Sequence, residues 1–447
     1  MGVGISRFQN IGGKEKRFVD YRLALHLLRL LIRAENRARR RQNGLRPADT
    51  FYNVLKMSHL QKILLRRRHM VRFGDLVVLD STFPPFPSKA YDKRVSNHLN
   101  HLDLTSLPPG IVSISTTNRC PYSCAFCSTD SRSNSAADLD EELLKQTISQ
   151  IEALGTSLII LHGGEPMSRY DRFLRLVKHV SDDTCLWMFT TGHGVTAQRA
   201  AELKANGLFG VWVSLDHYDA KEHNRMRGNG QAFENACAAI ERFKEAGVYT
   251  CLSLVPAGEL LEPEHFRKYY EMARGLGVAE IRVLELKPVG RNACCGPVPH
   301  SPVLERLQQE FFHDPKYSNH PPLSGLSTWL EKDAAMGCQC RFEYLFISAT
   351  GELRPCEATE LSFGNIREDG FLKAYARACA AFQRPSTGCI QMVMFPEVRA
   401  YQERKDQLTS EERCEMATQI IREFEARGSI PGAYESIWDT YQRRLSA

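Results

Sequence analysis

The sequence predicts an α/β protein organised around a parallel sheet. The prediction rests on six short apolar runs between residues 110 and 288, on the amphipathic stretches that separate them, and on the glycines that close those stretches. The runs are IVSIST, SLIILHGG, CLWMFTTG, GVWVSLD, YTCLSLVP and EIRVLELK. Each is strand-length, rich in Ile, Val, Leu or aromatic residues, and bounded by turn formers, the pattern of strands buried on both faces. Between them DEELLKQTISQIEAL, RFLRLVKHV, AQRAAELKANG, AFENACAAIERFKEAG and EHFRKYYEMARGLG repeat apolar residues at helical spacing. Gly207, Gly247 and Gly277 follow three of these, where a left-handed residue stops a helix. Strands alternating with helices imply right-handed βαβ crossovers. Such sheets place their ligand site at the carboxyl ends of the strands.

Composition narrows the class. Of 447 residues, 43% are hydrophobic and 25% charged, with 30 Gly and 21 Pro, which excludes disordered and repetitive chains. No segment approaches the roughly 18 consecutive apolar residues of a membrane-spanning helix; the nearest, Leu23 to Ile32, is interrupted by His26 and Arg29. The opening MGVGISRFQN has no apolar leader core, so the fourteen cysteines point to metal or redox chemistry in a cytoplasmic setting and not to a disulfide framework. The organisation expected is a basic helical region with a Pro-rich linker over 1–107, a core over 108–290, a cysteine-bearing region over 291–395, and a helical tail over 396–447.

The sharpest motif is TTNRCPYSCAFCSTD, placed directly after the first strand. Cys120, Cys124 and Cys127 set three soft thiolates on one loop, enough to hold three irons of a [4Fe–4S] cluster and leave the fourth open. A structural zinc site would want a fourth Cys or His nearby; His101 is the remote candidate.

At these residues the chain resembles the radical SAM superfamily, with Phe126 as the aromatic before the third cysteine. The likeness continues in order over about 111–290. Gly163, Gly164, Glu165 and Pro166 resemble the family's GGEP motif, whose backbone and Glu receive the amino group of S-adenosylmethionine. Thr190 closes the third strand. Ser214 and Asp216 stand at the family's ribose and carboxylate positions, and Arg227 matches an RG pair assigned to the carboxylate. Charge complementarity and the closeness of approach that glycine permits agree with these roles. The resemblance implies a partial (β/α)6 barrel. It also implies reductive cleavage of S-adenosylmethionine to a 5′-deoxyadenosyl radical, which takes hydrogen from an unactivated C–H.

A second cysteine group lies in GCQCRFEYLFISATGELRPCEATELSFGNIRE and beyond. It resembles the opening of a SPASM or Twitch domain, and implies a small C-terminal iron–sulfur domain. Its sparse later cysteines favour one auxiliary [4Fe–4S] cluster on Cys338, Cys340, Cys356 and Cys389, with Cys379 in reserve. Zinc on the same ligands is the competing reading. Cys185, Cys237 and Cys251 are expected to be small core residues, Cys414 a spectator, and Cys294 and Cys295 loop residues near the mouth of the site.

Residues 1–95 hold 21 Lys and Arg against 7 Asp and Glu, so the basic excess is local. Arg22, His26, Arg29 and Arg33 share a helical face among leucines. That suits a peripheral contact with an anionic membrane, an acidic substrate or RNA, or equally a helical cap packed on the core. The partners expected are an electron donor such as flavodoxin or ferredoxin and an amphiphilic, lipid-like or other small-molecule substrate, with a ribosomally made peptide as the alternative. DNA is not expected. A zinc-stabilised RNA-binding protein is the reading from another class, and it leaves the GGEP-like stretch unexplained.

Overall fold

The computed structural model describes residues 9–11, 13–40, 70–100, 107–131, 138–293, 323–325 and 337–432, with positions 434, 435, 438 and 442 beyond. Cys294, Cys295, His101 and the basic run at 64–69 lie outside the described residues.

The N-terminal region is a packed cap. Strand β1 (Gln9–Ile11) pairs with β2 (Met70–Phe73), which forms a hairpin with β3 (Leu76–Val78). Helix α1 (Gly13–Arg40) buries Val19, Leu23, Leu27 and Leu30, one per turn, against β2, β3 and helix α2 (Lys89–Asn100). Arg22, Arg29 and Arg33 face outward as expected. His26 does not join them: its ring turns inward to Asp92, 2.6 Å away, beside Phe86 and Tyr91.

The Pro-rich stretch also differs from the linker expected of it. Pro84, Pro85 and Phe86 are buried, Phe86 exchanges backbone hydrogen bonds with Val77, and the Phe86–Pro87 peptide is cis. The aromatic residues interleaved with the prolines bury enough apolar surface to fix the segment against the cap.

All six expected strands form: β4 (Ile111–Ser115), β5 (Leu158–His162), β6 (Cys185–Thr190), β7 (Leu208–Ser214), β8 (Tyr249–Leu254) and β9 (Ile281–Val283). They pair in sequence order, all parallel. The sheet is extended at one end by β10 (Leu323–Gly325) and at the other by β11 (Tyr344–Ile347), also parallel, then by antiparallel β12 (Leu353–Arg354). Among the described residues no pairing closes the sheet into a barrel.

Crossovers carry α3 (Glu141–Leu154), α4 (Tyr170–His179), α5 (Ala197–Ala205), α6 (Ala220–Arg227), α7 (Ala232–Glu245) and α8 (Pro263–Gly275). Gly207, Gly247 and Gly277 follow α5, α7 and α8 at positive φ, the expected stops. Alternation along each strand divides the core. Ile159, Leu161, Met188, Val211 and Val213 pack under the helices, whereas Ile160, Trp187, Trp212 and Tyr249 pack with Val71, Phe73 and Val78 of the cap. The rings of Trp187 and Trp212 stack 4.0 Å apart. The hairpin therefore covers the inner face of the sheet from one side.

The C-terminal region is continuous with this core, because β11 joins the edge of β4. It continues through α9 (Phe371–Ala381), α10 (Ile390–Val393), α11 (Phe395–Arg404) and α12 (Ser410–Arg427). The helical run expected over 396–426 is broken before Ser410, where Thr409 and Glu412 form a reciprocal capping box. Among the described residues, no helix is long and apolar enough to cross a membrane.

Candidate active site

A cavity of about 300 Å³ opens at the carboxyl ends of the strands. Cys120, Cys124 and Cys127 line one part of it, and Cys338, Cys340, Cys356 and Cys389 another. Two cysteine groups separated by more than two hundred residues thus face one space.

The first group sits on the loop after β4. Cys120 and Cys124 are buried and Cys127 is half-buried. Burial pushes the Cys120 thiol up to about 12 and also raises that of Cys124, where Arg227 works against it. The loop is clamped from three directions. Asp138 accepts hydrogen bonds from the Asn118 amide and the Thr117 hydroxyl, both at 2.7 Å. The Ser123 amide donates to the Arg227 carbonyl. Arg291 donates to the Cys124 carbonyl and to Asp130, while its amide donates to the Cys127 carbonyl. Gly290, at φ +60°, lies so close that a Cβ would stand 2.2 Å from the Cys127 carbonyl oxygen. The sequence signal for this clamp was only the short VGRN stretch, and the reading of the motifs passed over it.

Gly163 and Gly164 follow β5 and line the cavity. Both are pressed onto the cysteine loop: a Cβ on Gly163 would stand 2.2 Å from the Thr117 carbonyl oxygen, and one on Gly164 2.2 Å from that of Arg119. Glu165 is fully buried and not on the cavity wall. Its carboxylate accepts from the Thr191 amide and hydroxyl, the Thr190 hydroxyl and the Met167 amide. Burial raises its pKa against the pull of these donors. Pro166 is buried too, at the start of a short 3-10 turn, Pro166–Arg169. Glu165 and Pro166 are both off the cavity wall, and Glu165 fixes the Thr190–Thr191 turn, which is on it.

Ser214, at the end of β7, lines the cavity; Asp216 does not. Asp216 is fully buried, and its Oδ1 accepts from the Val255 amide at 2.9 Å. Its Oδ2 receives Nε and Nη2 of Arg227, each at 2.5 Å. The Arg227 Nη1 stands 3.8 Å from the Cys124 sulfur, and its guanidinium lies over the Phe126 ring. Burial disfavours the Arg227 charge, but Asp216 and Cys124 more than offset this. Arg227 is therefore engaged by Asp216 and Cys124 while it also lines the cavity. The spacing of an RG motif cannot show that an acid eleven residues earlier will fold back onto it.

In the second group Cys340 is the centre. Its thiol contacts Cys338 and Cys356, which together with burial raise it well above the usual thiol range. The Ala358 amide points at the Cys356 sulfur from 3.4 Å. Cys389 begins α10 and faces the same cavity. Cys379 is not on the cavity wall: on α9 it accepts from Arg341 at 3.1 Å and neighbours Tyr375. Among the described residues no three His, Cys, Asp or Glu side chains are gathered tightly enough to bind a single ion. Of the other cysteines, Cys185 and Cys251 are buried in the core as expected, and Cys237 and Cys414 are half-buried.

Comparison with known proteins bears on both halves of this wall. Residues 114–273 match the model of the radical SAM superfamily, and residues 338–414 match SPASM, an iron-sulfur cluster-binding domain. The chain belongs to the radical SAM superfamily. It is an enzyme of that family with a SPASM-type C-terminal domain, and its cofactors are a [4Fe–4S] cluster, S-adenosylmethionine and auxiliary iron–sulfur. Among its relatives, an AdoMet-dependent heme synthase of Methanosarcina barkeri is 26% identical over 294 residues, 60% of this chain and 83% of that one. The mycofactocin maturase MftC of Mycolicibacterium smegmatis is 28% identical over 178 residues, 40% of this chain and 44% of that one. Streptococcus suis SuiB bound to its precursor peptide SuiA shares the fold at a TM-score of 0.52 and 13% identity, over 74% of this chain and 82% of that one. SuiB bound to S-adenosylmethionine is matched over 64% of its length.

Proposed function

We propose that this radical SAM enzyme holds its [4Fe–4S] cluster on Cys120, Cys124 and Cys127, and S-adenosylmethionine against Gly163, Gly164, Thr190 and Ser214. One auxiliary cluster then sits on Cys338, Cys340, Cys356 and Cys389. The observation that carries this reading is the single cavity walled by both cysteine groups. A molecule within it touches the surroundings of both.

The donor sets suit the groups assigned to them: soft thiolates, buried from water, with backbone and hydroxyl donors beside the first loop. Bound there, the cluster and S-adenosylmethionine supply the one-electron chemistry by which an inert C–H is attacked. The chain's own part is positional. Asp216 holds Arg227 beside Cys124, so one fixed cation faces a thiolate loop whose charge burial would otherwise disfavour. Glu165 fixes the Thr190–Thr191 turn at the wall. Phe189, on the cavity wall and stacked at 4.6 Å on buried Trp212, keeps that side of the cavity apolar.

The substrate is a small molecule, or a small part of one, presented in a cavity of about 300 Å³. A peptide substrate is the second reading; it is supported by the likeness to MftC and to PqqA peptide cyclases. A small external electron carrier of the flavodoxin or ferredoxin kind completes the reaction.

Anaerobic reconstitution, followed by iron counting and assay of 5′-deoxyadenosine with dithionite and S-adenosylmethionine, tests the reading. The expected result is about eight irons per chain, four for each of two clusters. Deoxyadenosine should be formed by the wild type and abolished by joint Cys120, Cys124 and Cys127→Ala. Four irons in the active wild type would remove the auxiliary cluster, and none would overturn the assignment.

A further inference from the structure

The cavity wall carries three side chains that are cationic at neutral pH: Arg227, Lys287 and Arg282. Two have anionic partners. Arg227 is bound to Asp216, and Lys287 to Glu285 at 2.6 Å, with both members of the latter pair nearly buried. Arg282 has none. It is 6% exposed, and neither its Nε nor its Nη1 has a hydrogen-bond partner. The carboxylates in its field are engaged elsewhere: Glu280 accepts from the Ser81 hydroxyl at 2.5 Å, and Glu357 from the Tyr344 hydroxyl at 3.2 Å.

A buried guanidinium without a carboxylate is costly to keep, because desolvation is not repaid by a partner. Aromatic rings hold this one in place. Its central carbon lies 4.7 Å over the ring of buried Trp212 and 5.5 Å over that of Phe189, which shares the cavity wall with it. With Nε and Nη1 unpaired, the guanidinium keeps donors of the kind with which arginine takes a planar oxyanion through paired hydrogen bonds. Burial itself pushes the Arg282 pKa down, a shift that a bound anion would reverse.

From this wall we infer that Arg282 is the anchor for a carboxylate of the substrate, so that the enzyme's substrate is a carboxylic acid held in this cavity beside Phe189. The inference rests on the proposed function, since it names the occupant of that same cavity. The amino-acid end of S-adenosylmethionine offers the same chemistry, but Arg282 lies toward the other cysteine group. The carboxylates nearest it are Glu357 and Glu280, and Glu357, which directly follows Cys356 in the chain, accepts from the neighbouring Tyr344 hydroxyl. Register places Arg282 opposite Ser253, one strand beyond Ser214 and the candidate cofactor cradle.

The test uses reconstituted holoenzyme and a matched pair of probes, 3-phenylpropionate and its uncharged amide, titrated calorimetrically in the presence of S-adenosylmethionine. Wild type should prefer the acid by about tenfold or more, the discrimination a charge-assisted pair provides. Arg282→Gln should erase the preference and Arg282→Lys keep part of it, with the affinity for S-adenosylmethionine changed less than about threefold. Equal binding of acid and amide by wild type, or an unchanged preference in Arg282→Gln, overturns the inference. A loss of S-adenosylmethionine affinity with the acid preference retained assigns Arg282 to the cofactor and also overturns it. Should Arg282→Gln fail to fold, Arg282→Lys against wild type decides by the same ratio. Failure of the proposed function itself reads differently, as wild type that holds no iron and forms no deoxyadenosine.

Discussion

Asp216 Oδ2 receives two nitrogens of Arg227 at 2.5 Å, and the third nitrogen of that guanidinium stands 3.8 Å from the Cys124 sulfur. The acid follows β7, the arginine ends α6 of the same crossover, and the thiol belongs to the loop after β4, so a single contact ties two crossovers together. It also explains how a positive charge persists beside the thiol loop at a site closed to water.

Removal of the acid alone should therefore be more damaging than removal of the pair. Asp216→Ala leaves a buried guanidinium without a counter-ion, a loss of order 3–5 kcal/mol. Asp216→Ala with Arg227→Met should recover part of that stability without recovering full iron retention, because Cys124 then lacks its cation. Denaturant midpoints of the apoproteins and iron counts after gel filtration check the two effects separately. Additive losses in the double variant would show that the pair is not a unit.

The close approach of Gly164 to the cysteine loop has a different consequence. A Cβ there meets the Arg119 carbonyl oxygen at 2.2 Å and the Cys120 Cβ at 3.0 Å, so the loop must move. Gly164→Ala should lose the first cluster and keep the second, with about four irons per chain. Gly247→Ala is the control. At φ +73° it is strained by roughly 1 kcal/mol but meets nothing within 4 Å, and it should keep all the iron.

What could be read from the sequence was whatever is local in the chain. The six strands, the glycine stops and the cysteine loop depend on residues a few positions apart, and all were found where periodicity and spacing put them. The roles of Glu165, Asp216 and Arg227 depend on contacts between elements. A motif shows that an acid lies near a ligand-binding turn, but not whether it faces the ligand or braces the turn from behind. The buried prolines were misread for a related reason: a PPFP stretch is extended either way, and only the surface that Phe86 meets decides between linker and core. Arg282 carries no motif, and nothing in EIRVLELK separates a stacked cavity cation from an exposed strand residue.

The second cysteine group is testable residue by residue. Cys340 contacts both Cys338 and Cys356, and all three share the cavity with Cys389, whereas Cys379 is engaged by Arg341 off the wall. Cys340→Ala should release the auxiliary cluster and leave the first intact, and Cys379→Ala should retain both. Iron content with low-temperature EPR of the reduced proteins distinguishes the sites. Loss of iron from Cys379→Ala would transfer ligand status to that residue.

Acid should weaken the region around Asp216 and Arg227 through His223. This ring is 1% exposed, accepts a hydrogen bond from the Asp216 amide at 3.1 Å through Nδ1, and is held neutral. Burial lowers its pKa from 6.5 to about 4; Asp216 opposes the shift, while Arg227 and His217 add to it. The unfolded chain takes up a proton near pH 6.5 that the folded chain refuses until about pH 4. Between those values the unfolded state binds more protons, so stability falls as pH falls, by up to about 3 kcal/mol over the whole window. Above pH 6.5 this contribution is fully present. Equilibrium unfolding of the apoprotein at pH 7.5, 5.5 and 4.5 should show the decline, and His223→Gln, which has no proton to take up, should flatten it. A wild-type decline that His223→Gln leaves unchanged would assign the acid sensitivity to the carboxylates instead.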